Sequence, residues 1–383
     1  MAHSLNPKVY VLTFTAFVML SSEFIVAGLL PQIATALGIS IGQAGWLVTA
    51  FALGMGASAP LIAAFTHRVS LRTLLIAACV ALLLGNSLCA LTSDFTLLLI
   101  GRALGGVGVA VFWTNAALAA AAMASPEVRS LAVSRVLIGV SVASVVGVPL
   151  GKLVSDLWHW EAALVLMAVL SAVALAMVLR WVRVPAGASE PAHSTLAARL
   201  AAVCQRDVLL ALLSYLLVFG GIMAVFSYLA TFLIQYTALP ALYVTPLLAL
   251  YGLADIAGNL LIAKRVPDPL HLLFKRLLLV LAAALAALSV FGTQAWLLPV
   301  VIIAAGACHA AAGLLTGIDV LRRAGANAQL VGAFNVTAIN LGIMLGAVAG
   351  GALIDQGGLA LIGCLGGGLV LLAWWVRGRL VVV

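Results

Sequence analysis

Apolar residues run along this chain in stretches of about twenty, separated by short polar breaks, and the pattern repeats from one end to the other. Twenty residues of helix reach ~30 Å, the thickness of a bilayer's hydrocarbon core. The pattern predicts twelve membrane spans, at about 9–32, 42–65, 71–92, 95–122, 132–154, 162–182, 208–235, 243–263, 273–292, 295–317, 330–354 and 359–376. Strands are excluded. Lipid leaves an open sheet edge unsatisfied, and the runs lack the alternation of a barrel strand. The first run is too long for a signal-peptide core and has no small-residue cleavage site, so it reads as a retained helix.

The longest polar stretch, 184–206, "VPAGASEPAHSTLAARLAAVCQR", falls between spans six and seven. Its prolines, small residues and charges mark a linker, with a short surface helix over 196–203. It divides the chain into an N-terminal bundle at 1–183 and a C-terminal bundle at 207–383. "GVPLGKLVSD" (147–156) and "GAVAGGALID" (346–355) lie 199 residues apart with Gly, Gly and Asp at matching places. The same offset aligns Val9 with Val208, the first residues of spans one and seven. Six spans plus six with internal similarity is the organisation of a duplicated transporter. The predicted fold is therefore an all-α integral membrane protein of two pseudo-symmetric six-helix bundles.

Composition agrees. Of 383 residues 65% are hydrophobic and only 8% charged, against roughly 25% charged in a soluble domain. With the N-terminus taken as cytoplasmic, 17 of the 19 basic residues fall on the inner side, Arg102 and Lys152 being the exceptions. That bias predicts an inner-membrane protein with both termini cytoplasmic. It also accounts for the net charge of +8 without any nucleic-acid partner. Seven tryptophans, among them Trp46, Trp158, Trp296 and Trp375, lie near span ends, as an interfacial belt requires. The five cysteines have no metal-type spacing and read as small packing residues.

The chemistry sits in the few polar residues inside spans. "FVMLSSEFIVAGLL" (17–30) places Glu23 ~22 Å from the inner face, and Arg102 enters span four ~10 Å below the outer face. The two depths are similar, so the pair can meet. An embedded charge usually faces a bundle interior or an aqueous cavity. A carboxyl holds its proton more tightly when dried and less tightly beside a cation. A cavity that alternately wets and dries Glu23 would load and release a proton; a permanent structural pair with Arg102, or a Glu23 held protonated in a hydrogen bond, is the other reading. Asp255, in "LYGLADIAGNLL", is a second proton-coupling candidate, with Asn259 one turn on; interhelical hydrogen bonding is its alternative use. Asp207, Asp319 and Asp355 lie at span ends, where a carboxylate reaches water, and read as structural.

Candidate substrate contacts are polar and aromatic residues within spans: Trp113, Asn115, Tyr215, Phe219, Phe226, Tyr251, Asn259, His309, Asn335 and Asn340. They supply what an apolar-walled pocket needs for orientation, and equally suit helix packing. Gly139, Gly147, Pro149 and Gly151 in span five, and Gly346 and Gly350 in span eleven, put small residues on one helix face. They predict close packing and, in a rocking transporter, a sliding contact between halves; the proline permits a bend. No P-loop, GxSxG elbow or HExxH stands in the chain, so neither ATP hydrolysis nor a soluble catalytic site is expected.

Four stretches carry a resemblance: "SEFIVAGLLPQIATALGIS", "LLLIGRALGGVGVAVFWTNAALA", "GVPLG" with Gly139 upstream, and "AFNVTAINLGIMLGAVAGG". In these the chain resembles the major facilitator superfamily, in particular twelve-span bacterial drug–proton antiporters and their arabinose-efflux-like, sugar- or nucleoside-exporting branch. The resemblance implies alternating access, a central cavity between the halves, and export driven by proton entry, with Glu23 and Arg102 as coupling residues. It implies a small-molecule substrate, protons and lipid as partners, a monomer, and no cofactor beyond the proton gradient. The loop "AAFTHRVSLRT" departs from the family's pattern, with His67 where an aspartate stands and Arg68 retained. "IAKRVPDP" departs likewise, and Glu161 in "HWE" replaces an arginine. A proton-coupled importer is the nearest competing reading; a membrane-embedded enzyme or a lipid translocator fits the sparse ionisable residues less well.

Overall fold

The computed structural model describes residues 7–65, 69–184, 203–263, 270–324 and 328–380. His67, Arg68, Lys264 and Arg265, and nearly all of the predicted linker with its surface helix, lie outside the described residues.

Among the described residues twelve helices are long and apolar enough to cross a membrane: Val9–Gly28, Ile41–Ile62, Leu71–Ala90, Phe95–Ala122, Leu131–Leu157, Trp160–Trp181, Arg206–Tyr236, Ala241–Ile262, Leu270–Phe291, Leu298–Val320, Val331–Asp355 and Leu359–Arg377. They are spans one to twelve below. Each overlaps its predicted counterpart, and the ends differ by a few residues because caps, not hydropathy, stop a helix. Ser70 caps span three by accepting from Thr73 N–H, and Asp94 caps span four by accepting from Leu97 N–H. Among the described residues there is no strand. With an even number of spans, both ends of the chain lie at one end of the bundle, here the terminal end; the opposite one is the distal end.

Spans one and five of the N-terminal half and span seven of the C-terminal half carry a break, and the breaks position the site. Span one is α-helical over Val9–Phe24, tightens to a 3-10 turn over Ile25–Gly28 and resumes at Leu30–Leu37. Gly38 ends it in the left-handed conformation at φ 65°, which costs glycine little. Span seven breaks at the equivalent depth, after Phe226. Span five widens to a π turn over Ala143–Gly147 just before Pro149. The proline has no N–H to give the carbonyl four residues back, and the wider turn absorbs the mismatch. The repeat partner of Pro149 is Val348, 199 residues on, and span eleven runs unbroken over Ala328–Asp355.

The duplication is visible in contacts. Gly147 packs against Ser21 and Gly346 against Gly220; Gly151 packs against Ile25 and Gly350 against Ala224. Every residue in the first member of each comparison is 199 short of its counterpart (147 and 346, 21 and 220, 151 and 350, 25 and 224). Spans five and one, and eleven and seven, therefore meet through the same small-residue contact in both halves. Gly139 joins the first of these by packing on the Thr13 carbonyl and Ala16. All five glycines thus pack inside a half. The contact between halves predicted for them is made by other residues: Gly42, Gly45 and Gly56 of span two against span eleven and Tyr228, and Gly252 of span eight against Ser144 of span five. The reason is helical rotation. The face of spans five and eleven that carries these glycines is turned toward spans one and seven.

Candidate functional site

Arg102 is buried, and each of its guanidinium nitrogens donates to a backbone carbonyl: Nε to Leu47 O at 3.2 Å, Nη1 to Ser22 O at 2.7 Å and Nη2 to Glu23 O at 2.9 Å. It also lies over the Phe51 ring, 4.2 Å from the centroid. The acceptors explain the choice of arginine. The Ser22 and Glu23 carbonyls stand where span one changes from α to 3-10 geometry, and such a change leaves backbone acceptors short of donors. A planar fork with five N–H groups can tie two successive carbonyls of one helix to a third on another.

The Glu23 carboxylate is left half-buried, and no hydrogen bond or ion pair reaches it among the described residues. Arg102 is therefore near Glu23 but grips its main chain. Ser22, the neighbour, is fixed separately: its hydroxyl donates to Asn86 Oδ1 at 2.9 Å, and Asn86 Nδ2 donates to Ser171 Oγ at 3.1 Å. Sequence reasoning passed over Asn86 and Ser171. An amide inside span three was the available signal, since a polar group there must find a partner.

Across the boundary between halves, Phe24 meets Phe226 edge-on at 5.9 Å between centroids. Phe226 lies 4.8 Å from Tyr251, and His309 is ringed by Phe219, Phe226 and Tyr251 at 6.0, 6.4 and 5.9 Å. The Tyr251 hydroxyl stands 3.1 Å from His309 Nδ1, and Asp255 Oδ1 stands 3.4 Å from the same nitrogen. Ser144, from the other half, also faces the Asp255 carboxylate. Five predicted residues, Phe219, Phe226, Tyr251, Asp255 and His309, thus form one cluster, and Phe24 joins it to Glu23.

The remaining candidates are dispersed. Tyr215 is fully buried and donates to Asp319 Oδ2 at 2.5 Å; the same carboxylate receives Arg377 Nη2 at 2.8 Å and Arg323 Nε at 3.1 Å. Arg377 also covers Phe274 at 3.9 Å. Tyr215 therefore belongs to a buried charge cluster among spans seven, nine, ten and twelve. Asp319 does not reach water as its place near a span end suggested, because three donors converge on it in the interior. Asn259 is exposed, and Trp113 is half-buried and edge-on to Phe112 at 5.4 Å. Asn115 and Asn340 each donate to the carbonyl four residues back, at 2.8 and 2.9 Å. The buried Oδ1 atoms of Asn335 and Asn340 have no hydrogen-bond partner among the described residues. Among the described residues no group of three or more His, Cys, Asp or Glu is placed to hold a metal ion.

The halves close on each other at the distal end. Thr337 Oγ1 donates to Gly56 O at 2.8 Å midway along the contact of spans two and eleven. From there it continues distally to Gly45 beneath Tyr228 and to Gly42 beside Gly351. Beside it, Leu229–Thr231 of span seven meets the broken part of span one.

A sequence model described as Major Facilitator Superfamily matches residues 12–338. The chain is 30% identical over 380 residues to an uncharacterised MFS-type transporter, YtbD, of Bacillus subtilis, covering 97% of this chain and 95% of that one. It is 26% identical over 374 residues to a probable sugar efflux transporter of Mannheimia succiniciproducens, covering 96% and 93%. Among solved structures it superposes on the nucleoside transporter NupG with a TM-score of 0.79 at 12% identity, covering 98% and 99%, a likeness of fold.

Proposed function

The chain belongs to the Major Facilitator Superfamily and is a multi-pass membrane transporter rather than an enzyme, and from that premise we propose that it exports a small molecule by alternating access, driven by proton entry. The observation that carries this reading is the Glu23 carboxylate, half-buried, reached by no hydrogen bond or ion pair among the described residues, and one residue from the Phe24–Phe226 contact between halves. A carboxylate in that place is costly to keep charged when the surroundings dry and inexpensive when water enters. Proton loading and the relative position of the halves are then linked: whichever state hydrates Glu23 favours release.

Arg102 acts in this scheme as a positioning residue. By holding the Ser22 and Glu23 carbonyls and Leu47 of span two, it keeps the break in span one at a fixed place while leaving the carboxylate free to titrate. The Asp255–His309–Tyr251 group offers a second set of polar atoms against aromatic walls. Rings beside a few donors and acceptors suit a sugar, a nucleoside or a drug-like molecule. The names of relatives, probable sugar efflux transporters among them, favour the first and favour export. The concentration of basic residues at the terminal end supports an inner-membrane location with both termini cytoplasmic.

Transport into everted vesicles under an imposed pH gradient tests the proposal. Uptake collapses on adding a protonophore if protons drive it. Glu23→Gln is expected to stop coupled transport while protein of normal abundance remains in the membrane; full coupled activity in that variant refutes the carrier role. A thermal-shift screen against sugars, nucleosides and antibiotics identifies the substrate, because a binder stabilises the folded state by mass action.

A further inference from the structure

We propose that Asp355 is the latch of the distal gate: its carboxylate caps the first turn of span two across the boundary between halves. Ser40 Oγ donates to Asp355 Oδ2 at 2.8 Å, and the Gly42 N–H donates to Asp355 Oδ1 at 3.0 Å. Span two begins with its own reciprocal cap. Gln43 N–H donates to Ser40 Oγ at 3.0 Å, and Ser40 N–H donates to Gln43 Oε1 at 2.9 Å. That box leaves the Gly42 N–H without an intrahelical acceptor, as every helix start does. The acceptor comes from a residue 313 positions away, at the end of span eleven. A carboxylate is also the charge that a helix N-terminus favours.

The seat is shaped for this contact. A methyl group on Gly42 would meet the Asp355 carboxyl and the Gly351 carbonyl, and one on Gly45 would meet the Tyr228 hydroxyl. That hydroxyl is itself held, donating to Ala347 O at 2.7 Å. Glycine at 42 therefore lets span two come within backbone contact of span eleven, and glycine at 45 makes room for the Tyr228 side chain of span seven.

The repeat supplies an internal comparison. Asp156 is the counterpart of Asp355, 199 residues earlier (156 and 355). It receives Gln32 Nε2 at 2.7 Å and pairs with Lys152. Gln32, Lys152 and Asp156 all belong to the N-terminal half and move with it. Among the described residues both hydrogen-bond donors to Asp355 belong to the opposite half, so separation of the halves at the distal end must break both bonds. One aspartate of the duplicated pair braces a half from within; the other joins the two. The inference rests on alternating access, but on neither proton coupling nor the nature of the substrate.

The test is thiol labelling of a reporter cysteine behind the gate in purified protein in nanodiscs. Leu248→Cys, in a background with the five native cysteines replaced by alanine, serves: Leu248 is buried and approaches Gly28 of the other half. Asp355→Ala is expected to raise the labelling rate about five-fold, the population shift of a gate that has lost one exposed charge-assisted contact. Asp156→Asn is expected to leave the rate unchanged, and Gly42→Ala, which blocks the seat, to raise it. An unchanged rate in Asp355→Ala overturns the latch, and so does an equal rise in Asp156→Asn. If Gly42→Ala rises while Asp355→Ala does not, the latch fails and alternating access stands; if neither rises, both fail. Should Asp355→Ala not yield folded protein, Ser40→Cys with Asp355→Cys is expected to form a disulfide that arrests transport until reduced. Failure to cross-link overturns the proposal.

Discussion

Replacing Arg102 by lysine separates two pictures of the embedded base. If Arg102 were the counter-ion of Glu23, lysine would keep the charge and much of the interaction. In the structure its work is to hold three carbonyls, those of Leu47, Ser22 and Glu23, at 2.7–3.2 Å. An ammonium on a four-carbon stem cannot span all three from one rotamer, so at least one bond is lost. A hydrogen bond from a charged donor is worth about 1.5–3 kcal/mol in soluble proteins, and interhelical bonds in membranes average about 0.6 kcal/mol. A lost bond therefore costs about 0.6–3 kcal/mol, with a further contribution from the Phe51 contact at 4.2 Å. Purified Arg102→Lys should melt several degrees lower in detergent. Glu23→Gln should melt with the parent protein, because its carboxylate has no partner to lose among the described residues. The double variant should then show no coupling energy beyond experimental error. Arg102→Lys melting with the parent protein while Glu23→Gln alone is clearly destabilised would establish a side-chain ion pair and refute the carbonyl clamp.

Other perturbations follow from the same contacts. Arg377→Met leaves Asp319 with fewer donors in the interior and should cost about 3–5 kcal/mol, as for one member of a broken buried pair, seen as low yield and early melting. Gly346→Ala drives a methyl group into the Gly220 carbonyl oxygen and should destabilise by about 1–3 kcal/mol. Gly147→Ala meets mainly the Ser21 side chain, which can rotate, so its loss measured in the same melts should be smaller. His309→Ala removes the ring at the centre of the aromatic cluster while leaving Glu23 and Arg102 in place; substrate-induced thermal stabilisation should disappear with the resting melting point changed little.

Most of the architecture was legible along the chain, because the cause is local. A bilayer reads hydropathy over one window of about twenty residues, and no knowledge of neighbouring helices is needed to count such windows. The internal repeat was readable for a related reason: three matched residues in ten, at the offset that also aligns the span starts, point to the contacts that the two halves share. Part of the site was readable too. A charge or an amide inside a span has to be accounted for, which singled out Glu23, Arg102, Asp255 and His309.

What tertiary structure alone decided is which partner each of these residues takes. Arg102 chose backbone carbonyls over the nearby acid because a helix break in span one left acceptors unmet, and hydropathy does not register a change from α to 3-10 geometry. Asp319 and Arg377 were placed at span ends by counting residues, yet they are buried together because spans seven, nine, ten and twelve turn their polar atoms to one point. The glycines of spans five and eleven announced close packing, but whether that packing lay within a half or between halves depended on helix rotation. Asp156 and Asp355 are the same residue in two copies of one motif, and only the seating of spans two and eleven makes one of them reach across. Depth along a span is a property of the chain; the direction in which a side chain leaves its helix, and what waits there, is settled when twelve helices pack.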